Sequence, residues 1–216
     1  IEGLAPRPTA PQGAVNFGEA FAPAVSKQIE AGAKLDLGRW GASLALFQIT
    51  QPSGLVDPTT RRFSVDGEQR NRGVDLSVFG SPVEGVRVLG GVTFLDAELT
   101  RTAGGVNDGR TAIGAPRVQL NIGGDYDLPF LPGLTARARV IHTSSQFYDA
   151  ANTQSIPAWT RLDLGANYYF EVNRTPLVAR FAVENVTGND YWQSTGRGFL
   201  APGAPRTYLF SLSADL

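Results

Sequence analysis

The sequence predicts an all-β protein, an antiparallel transmembrane β-barrel segment, and three observations carry that prediction. Segments of period-two alternation recur along the chain, the mark of strands with one apolar and one polar face. The connections between them alternate short and long, as in outer-membrane barrels, where tight turns lie on the periplasmic side and longer loops outside. The polar face carries charges in mid-strand, at Lys34, Arg117, Arg137, Arg139 and Arg161. Such charges are costly inside a soluble barrel unless paired, and cost little lining a wet lumen.

The elements follow in order. Residues 25–37 alternate, with Ala31, Ala33, Leu35 and Leu37 on one face, and Gly38-Arg39 makes a tight turn. Residues 40–50 return through Ala42, Leu44 and Leu46, and 51–61 read as a polar loop containing Pro52, Gly54 and Pro58. Residues 62–79 set Val74, Leu76 and Val78 against Gly73, Asp75 and Ser77, and 80–85 form a short turn. Residues 86–101 run back to a Gly-rich loop at 102–114. Residues 115–127 place Val118, Leu120 and Ile122 opposite Arg117, Gln119 and Asn121, before the compact turn L-P-F-L-P-G at 128–133. Residues 134–145 set Ala136, Ala138 and Val140 against Arg137 and Arg139, and a polar loop follows at 146–156. Residues 159–170 set Leu162, Leu164, Ala166, Tyr168 and Phe170 against Arg161, Asp163 and Asn167. A turn at 171–176 leads to two final strands, the last with Tyr208, Phe210, Leu212, Ala214 and Leu216 on one face and Leu209 as an apolar intruder on the other. This gives nine strands. Several exceed the ~9–11 residues a tilted strand needs to cross a bilayer, so they are expected to project beyond it. Tyr168, Tyr169 and Phe170 fall beside a short turn, where an interfacial aromatic girdle belongs.

Composition removes other classes. The 216 residues carry a net charge of −1 and only 18% charged residues, so nothing suggests a nucleic-acid partner. A mean hydropathy of −0.11 fits barrel strands, which are only half apolar. Cys is absent, so a disulfide framework, thiolate metal site or thiol nucleophile is excluded, and the lone His142 excludes any site needing two imidazoles. No apolar run approaches the ~20 residues of a spanning helix. The chain has no Met and opens on a Pro-rich stretch without signal-peptide shape, so it is expected to be a C-terminal piece of something longer.

Four stretches carry a family resemblance. They are S-K-Q-I-E-A-G-A-K-L-D-L from Ser26 with A-L-F-Q-I from Ala45, and G-E-Q-R-N-R-G-V-D-L-S-V-F-G from Gly67. The others are I-P-A-W-T-R-L-D-L-G-A-N-Y from Ile156, and V-E-N-V-T-G-N-D-Y-W from Val183 with the closing G-A-P-R-T-Y-L-F-S-L-S-A-D-L. In this order they resemble the TonB-dependent ferric-siderophore receptors of the bacterial outer membrane. The resemblance implies a 22-stranded barrel filled by an N-terminal plug, with uptake driven through the TonB complex. Residues 1–216 are then expected to supply about nine to ten strands of the C-terminal barrel, with the plug absent. It also implies a ferric siderophore as ligand, lipid as surroundings, and iron carried only as substrate, so that no cofactor is expected. The family usually ends in Phe, whereas this chain ends in Leu216.

No catalytic constellation stands out, and no enzyme activity is expected. His142 with Ser144 and Ser145 suggests a barrel phospholipase or protease, but His142 shares the parity of Ala138 and Val140 and reads as an interfacial residue. Asp96 and Glu98 share one strand and lack an evident second carboxylate partner. A soluble β-sandwich binding module is the remaining alternative. The expected ligand contacts are Phe147 and Tyr148 in one outer loop, and Tyr191, Trp192 and Arg197 in the last. Aromatic faces give contact area at low entropy cost. Arg offers a fork for hydroxamate or carboxylate oxygens.

Overall fold

A computed structural model describes residues 2–4, 8–194, 196 and 199–214. The strands are β1 (Glu2–Leu4), β2 (Val25–Asp36), β3 (Trp40–Val56), β4 (Phe63–Gly80), β5 (Val86–Arg101), β6 (Val118–Asp127) and β7 (Leu134–Thr143). They continue as β8 (Gln146–Phe147), β9 (Ser155–Ile156), β10 (Trp159–Val172), β11 (Thr175–Glu184), β12 (Trp192–Ser194), β13 (Leu200–Pro202) and β14 (Thr207–Ala214). Ten of them form one antiparallel sheet in the order β1-β2-β3-β4-β5-β6-β7-β10-β11-β14. The pairs β8–β9 and β12–β13 are separate ribbons within connections.

Three sequence readings need correction. Among the described residues the sheet has ten strands, within the nine to ten expected, the tenth being Glu2–Leu4, which pairs with Val25–Lys27 inside the segment read as a loop. The loop placed at 51–61 is shorter, because β3 runs on to Val56 and pairs with β4 as far as Phe63. Pro52 and Gly54 are accommodated at a register shift between Ser53 and Leu55, where the ladder is already irregular. The turn placed at 171–176 shrinks to Asn173-Arg174, both at positive φ (52° and 68°), as a two-residue hairpin turn demands.

Register joins the apolar parities of neighbouring strands into one continuous face. Leu46, Val74, Phe94 and Val118 stand side by side across four strands, and Ala138, Leu164, Val183 and Tyr208 across four more. The opposite face holds Asp75, Arg87, Asp125, Arg137, Arg139, Asp163 and Arg180. The apolar face is not packed on anything: Phe210 is 73% exposed, Leu212 58% and Leu46 52%. Among the described residues, the buried apolar side chains are Ala10, Ala14, Phe63, Ala97, Ala112 and Ile156. All six lie toward the long-loop end. A soluble sandwich would bury its apolar sheet face, so the exposed belt argues for lipid around it.

Connections alternate as expected. Short turns join β2–β3, β4–β5, β6–β7 and β10–β11 at one end; at the opposite end longer connections join β1–β2, β5–β6, β7–β10 and β11–β14, while β3–β4 projects as a long hairpin closed by residues 57–62. Of the three aromatics assigned to a girdle, Tyr168 and Phe170 share the apolar face and stack at 5.5 Å with a 16° interplanar angle. Tyr169 has the opposite parity and lines a cavity on the polar side with Asp125 and Asp127.

Candidate functional site

The polar face is concave and carries a paired charge network. Arg87 donates two hydrogen bonds to Asp127, each 2.7 Å, and lies 3.7 Å from Asp125. Arg137 reaches Asp125 at 3.0 Å, and Arg139 donates to Asn121 at 2.8 Å. Arg161 pairs with Asp163 at 2.8 Å, with both side chains largely covered. Pairing is what lets these charges stand in mid-sheet. Arg139 and Arg180 line a cavity of about 800 Å³ on this wall, where Leu89 and Leu209 stand as apolar exceptions. Asp96 and Glu98 lie on the apolar parity, beyond the belt. Arg70 pairs with Glu98, and Arg72, opposite Asp96 in register, donates to the Gln48 side chain at 2.8 Å.

The long-loop end forms a cap with its own small core. Phe63 packs with Ala10 and Ala14, and Phe21 meets its ring edge-on at 5.3 Å. Asn16 hydrogen-bonds both backbone groups of Phe63, donating to its carbonyl at 3.0 Å and accepting from its N–H at 2.8 Å. That side chain imitates a strand partner and ties the 8–21 segment to the projecting β3–β4 hairpin. Asp57 closes the hairpin tip by accepting from the N–H groups of Thr59 and Thr60 at 2.9 and 2.7 Å. The hydrogen bond from the Thr60 backbone leads the effects that hold its carboxyl below the ordinary carboxylate range.

Three loops converge around Gly114. Its N–H donates to the Phe147 carbonyl at 2.8 Å, and its positive φ of 68° suits glycine. A Cβ there would sit 2.7 Å from the Ser194 hydroxyl and 2.9 Å from Gly196, so only glycine permits the approach. The contact brings together the loops carrying Phe147 and Trp192, and β9 lies against β12 in the same region. Asn152, at positive φ, holds the neighbouring loop by donating to the Thr111 carbonyl at 2.9 Å and accepting from its N–H at 2.8 Å. Asp149 anchors the Tyr148 turn by accepting from Gln154 at 2.7 Å and Thr153 at 3.0 Å. Slight burial opposes its charge, but hydrogen bonds from Thr153 and Gln154 outweigh it and lower its pKa.

The expected contact residues divide by placement. Phe147 and Tyr148 are half-buried at the end of β8 in the β8–β9 ribbon, and Trp192 in β12 is 52% exposed. Tyr191 stacks on Trp159 at 4.2 Å and 22°, with Gly203 closed over its ring, so it packs the loop from beneath. Arg197 lies outside the described residues. Sequence reasoning missed Asn185, which is 1% exposed and organises the last loop. Its amide donates to the carbonyls of Asn189 (2.9 Å) and Ala204 (3.0 Å), its side-chain oxygen accepts from the Asn189 N–H (3.0 Å), and its own N–H donates to Asp163 (2.9 Å). The available signal was the N-V-T-G-N run, since Asn tolerates the left-handed conformation that Asn185 adopts at φ 53°.

His142 sits on the apolar parity with its Nδ1 2.8 Å from the Thr160 hydroxyl, whereas Ser144 accepts from the Val118 N–H at 3.0 Å. Among the described residues no cluster of three His, Cys, Asp or Glu side chains is placed to hold a metal.

Comparison with known proteins accounts for this arrangement. The family described as TonB dependent receptor-like, beta-barrel matches residues 3–186. The ferrichrome receptor FcuA of Yersinia enterocolitica is 44% identical over all of this chain, which covers 29% of that protein. The metal-pseudopaline receptor CntO of Pseudomonas aeruginosa is 32% identical over 92% of the chain and 28% of its own length. The crystal structure of BauA, the ferric preacinetobactin receptor of Acinetobacter baumannii, superposes with a TM-score of 0.91 at 44% identity, covering 100% of this chain and 33% of that one. The chain thus spans less than a third of the curated relatives it matches. With the family matched over that span and the apolar belt exposed as lipid contact requires, this chain belongs to the TonB-dependent receptor β-barrels of the bacterial outer membrane.

Proposed function

We propose that this chain forms part of the barrel wall and extracellular loops of a receptor that takes up a ferric siderophore across the outer membrane. The observation that carries the proposal is identity of 44%, over the whole chain, with a protein described as a ferrichrome receptor and another as a ferric preacinetobactin receptor. The two faces of the sheet support it. One suits acyl chains, and the other, with its paired Arg and Asp, suits a polar plug domain held elsewhere in the complete receptor. Residues 1–216 then act as C-terminal barrel wall, and energy comes from the TonB complex through that plug. Iron enters as substrate within the chelate, and the reading involves no catalysis.

The proposed aromatic contacts are Phe147, Tyr148 and Trp192, carried by loops that approach one another at Gly114, with Arg197 from the same loop as Trp192. Tyr191 serves them by holding the loop against Trp159. The experiment is uptake of radiolabelled ferric siderophores, with fluorescence-quench titration of the complete receptor. Binding at micromolar or better, weakened by Trp192→Ala and indifferent to His142→Ala, is expected. Absence of binding for hydroxamate, catecholate and mixed-ligand ferric chelates alike would overturn the siderophore reading.

A further inference from the structure

The turn between β6 and β7 differs from every other short turn of this sheet. Its residues 128–133, L-P-F-L-P-G, include no polar side chain. It is held in shape before meeting anything. The Leu128 N–H donates to the Leu134 carbonyl at 2.9 Å, the Leu131 N–H to Leu128 at 3.1 Å, and the Leu134 N–H to Leu131 at 3.1 Å. Pro129 and Pro132 fix their own φ and carry no N–H. Gly133, at φ 87°, accepts from the Tyr169 N–H at 2.8 Å, and a Cβ there would collide with the Tyr169 carbonyl. The turn is therefore rooted on β10 next to the stacked pair Tyr168 and Phe170, at the edge of the apolar belt.

Its apolar side chains stay uncovered. Phe130 is 78% exposed, more than Phe210 in the belt itself at 73%. Leu131 is 44% exposed. The concave cavity at this end is lined by Leu128, Pro129, Pro132 and Gly133, and Phe130 and Leu131 lie outside that lining. The neighbouring turn between β10 and β11 is Asn173-Arg174, with the polarity expected of a turn in water.

We infer that the β6–β7 turn inserts Phe130 and Leu131 into the periplasmic leaflet of the outer membrane, as an anchor continuous with the lipid-facing belt. Its occupant is lipid at the boundary between headgroups and acyl chains. Aromatic and aliphatic side chains gain most there when the backbone brings few unpaired donors. Here two of the six turn residues have no N–H, and the N–H groups of Leu128 and Leu131 are already bonded. The anchor sets the height of β6 and β7 in the bilayer, independently of ligand or plug.

This chain contributes no Cys of its own, and any Cys elsewhere in the complete receptor is replaced by Ser before labelling. Phe130→Cys, Arg174→Cys and Phe210→Cys are prepared in the complete receptor, labelled with an environment-sensitive fluorophore and placed in lipid nanodiscs, where both leaflets are accessible. The receptor without the added Cys is the blank. The expected result is blue-shifted emission at 130, quenched several-fold more by lipids brominated near the headgroup end of the acyl chain than at 174, and less by aqueous iodide. The label at 210 should be quenched most by lipids brominated deeper. Equal iodide quenching at 130 and 174, without bromolipid quenching at 130, would overturn the anchor and leave the turn facing the periplasm as a protein-docking surface. Loss of bromolipid quenching at 210 would instead overturn the belt on which the anchor rests.

Discussion

In the membrane belt Phe210 and Leu212 leave 73% and 58% of their surface uncovered, whereas in the extracellular cap Phe63 leaves 8% and Ala10 1%. The two regions share strands: β3 and β4 run from one into the other. What changes along them is the solvent. In lipid, an apolar side chain is satisfied without protein neighbours, so belt residues need the right polarity and little else. In water, the cap has to build a core, and it does so by folding the 8–21 segment over the projecting hairpin. The difference teaches that belt and cap fail by opposite kinds of mutation.

The largest effect is expected in the cap. Phe63→Ala removes the buried ring of its small core, against which Phe21 packs, and the usual loss for a buried Phe is about 3–5 kcal/mol. Amide exchange at Ala10 and Val15, whose N–H groups bond Glu19 and Arg61 at 2.9 Å each, should accelerate. Exchange in the belt strands should not. Matching acceleration in both regions would mean that cap and belt form one cooperative unit.

Next comes a charge in the belt. Leu164, near the middle of the lipid-facing row of β10 and 42% exposed, should be sensitive to polarity rather than size. Leu164→Arg should cost about 2–4 kcal/mol by denaturant titration in vesicles, as for cations near the bilayer midplane of barrels. Val15→Arg, at a cap residue 69% exposed, should change stability by no more than about 0.5 kcal/mol. Equal tolerance at both positions would remove the lipid assignment of the belt.

A third test lies at the seam where belt becomes loop. Asn185 bonds Asp163 below it and Asn189 and Ala204 above it. Asn185→Gly keeps the left-handed backbone and loses the side-chain bonds, which should cost about 1–3 kcal/mol for the groups left unpaired. Asn185→Ala should cost about 1 kcal/mol more, because its Cβ disfavours φ 53°. Protease accessibility of the 186–206 loop should rise in that order, with the strands resistant throughout.

The same contrast explains what could be read from sequence. Belt strands announce themselves because lipid on one side and water on the other force alternation at Val74, Leu76 and Val78, or at Ala136, Ala138 and Val140. The cap carries no such period. Pro52 and Gly54 look like breakers, yet β3 passes through them at a bulge, with Gly54 lying under the Phe63 ring. Tyr191 looks like a ligand contact because aromatics in outer loops often are, and its stacking on Trp159 depends on a residue 32 positions away. Asn185 and Gly114 act through hydrogen bonds and close approach, which single residues in a loop do not advertise.

The smallest expected effect separates the regions by pH. Asp57 and Asp149 both lie in extracellular loops and both hold their carboxyls below the ordinary value. A depressed folded pKa contributes stability that is present above the unfolded value, about 3.9 for Asp. It is lost as pH falls through the folded pKa. Acidification below about pH 4 should therefore loosen the 57–62 and 149–154 turns through these two carboxylates. The lipid-facing row of the belt carries no such carboxylate, so its ladder hydrogen bonds should respond less over the same interval. Amide exchange at Thr60 and Gln154, compared with Leu164 and Leu212 on stepping the pH downward, reads the difference. Asp149→Asn should make exchange at Gln154 insensitive to that step while Thr60 still responds, which assigns each turn to its own carboxylate. Simultaneous loss of protection in turns and belt would instead show that acid acts on the barrel as a whole.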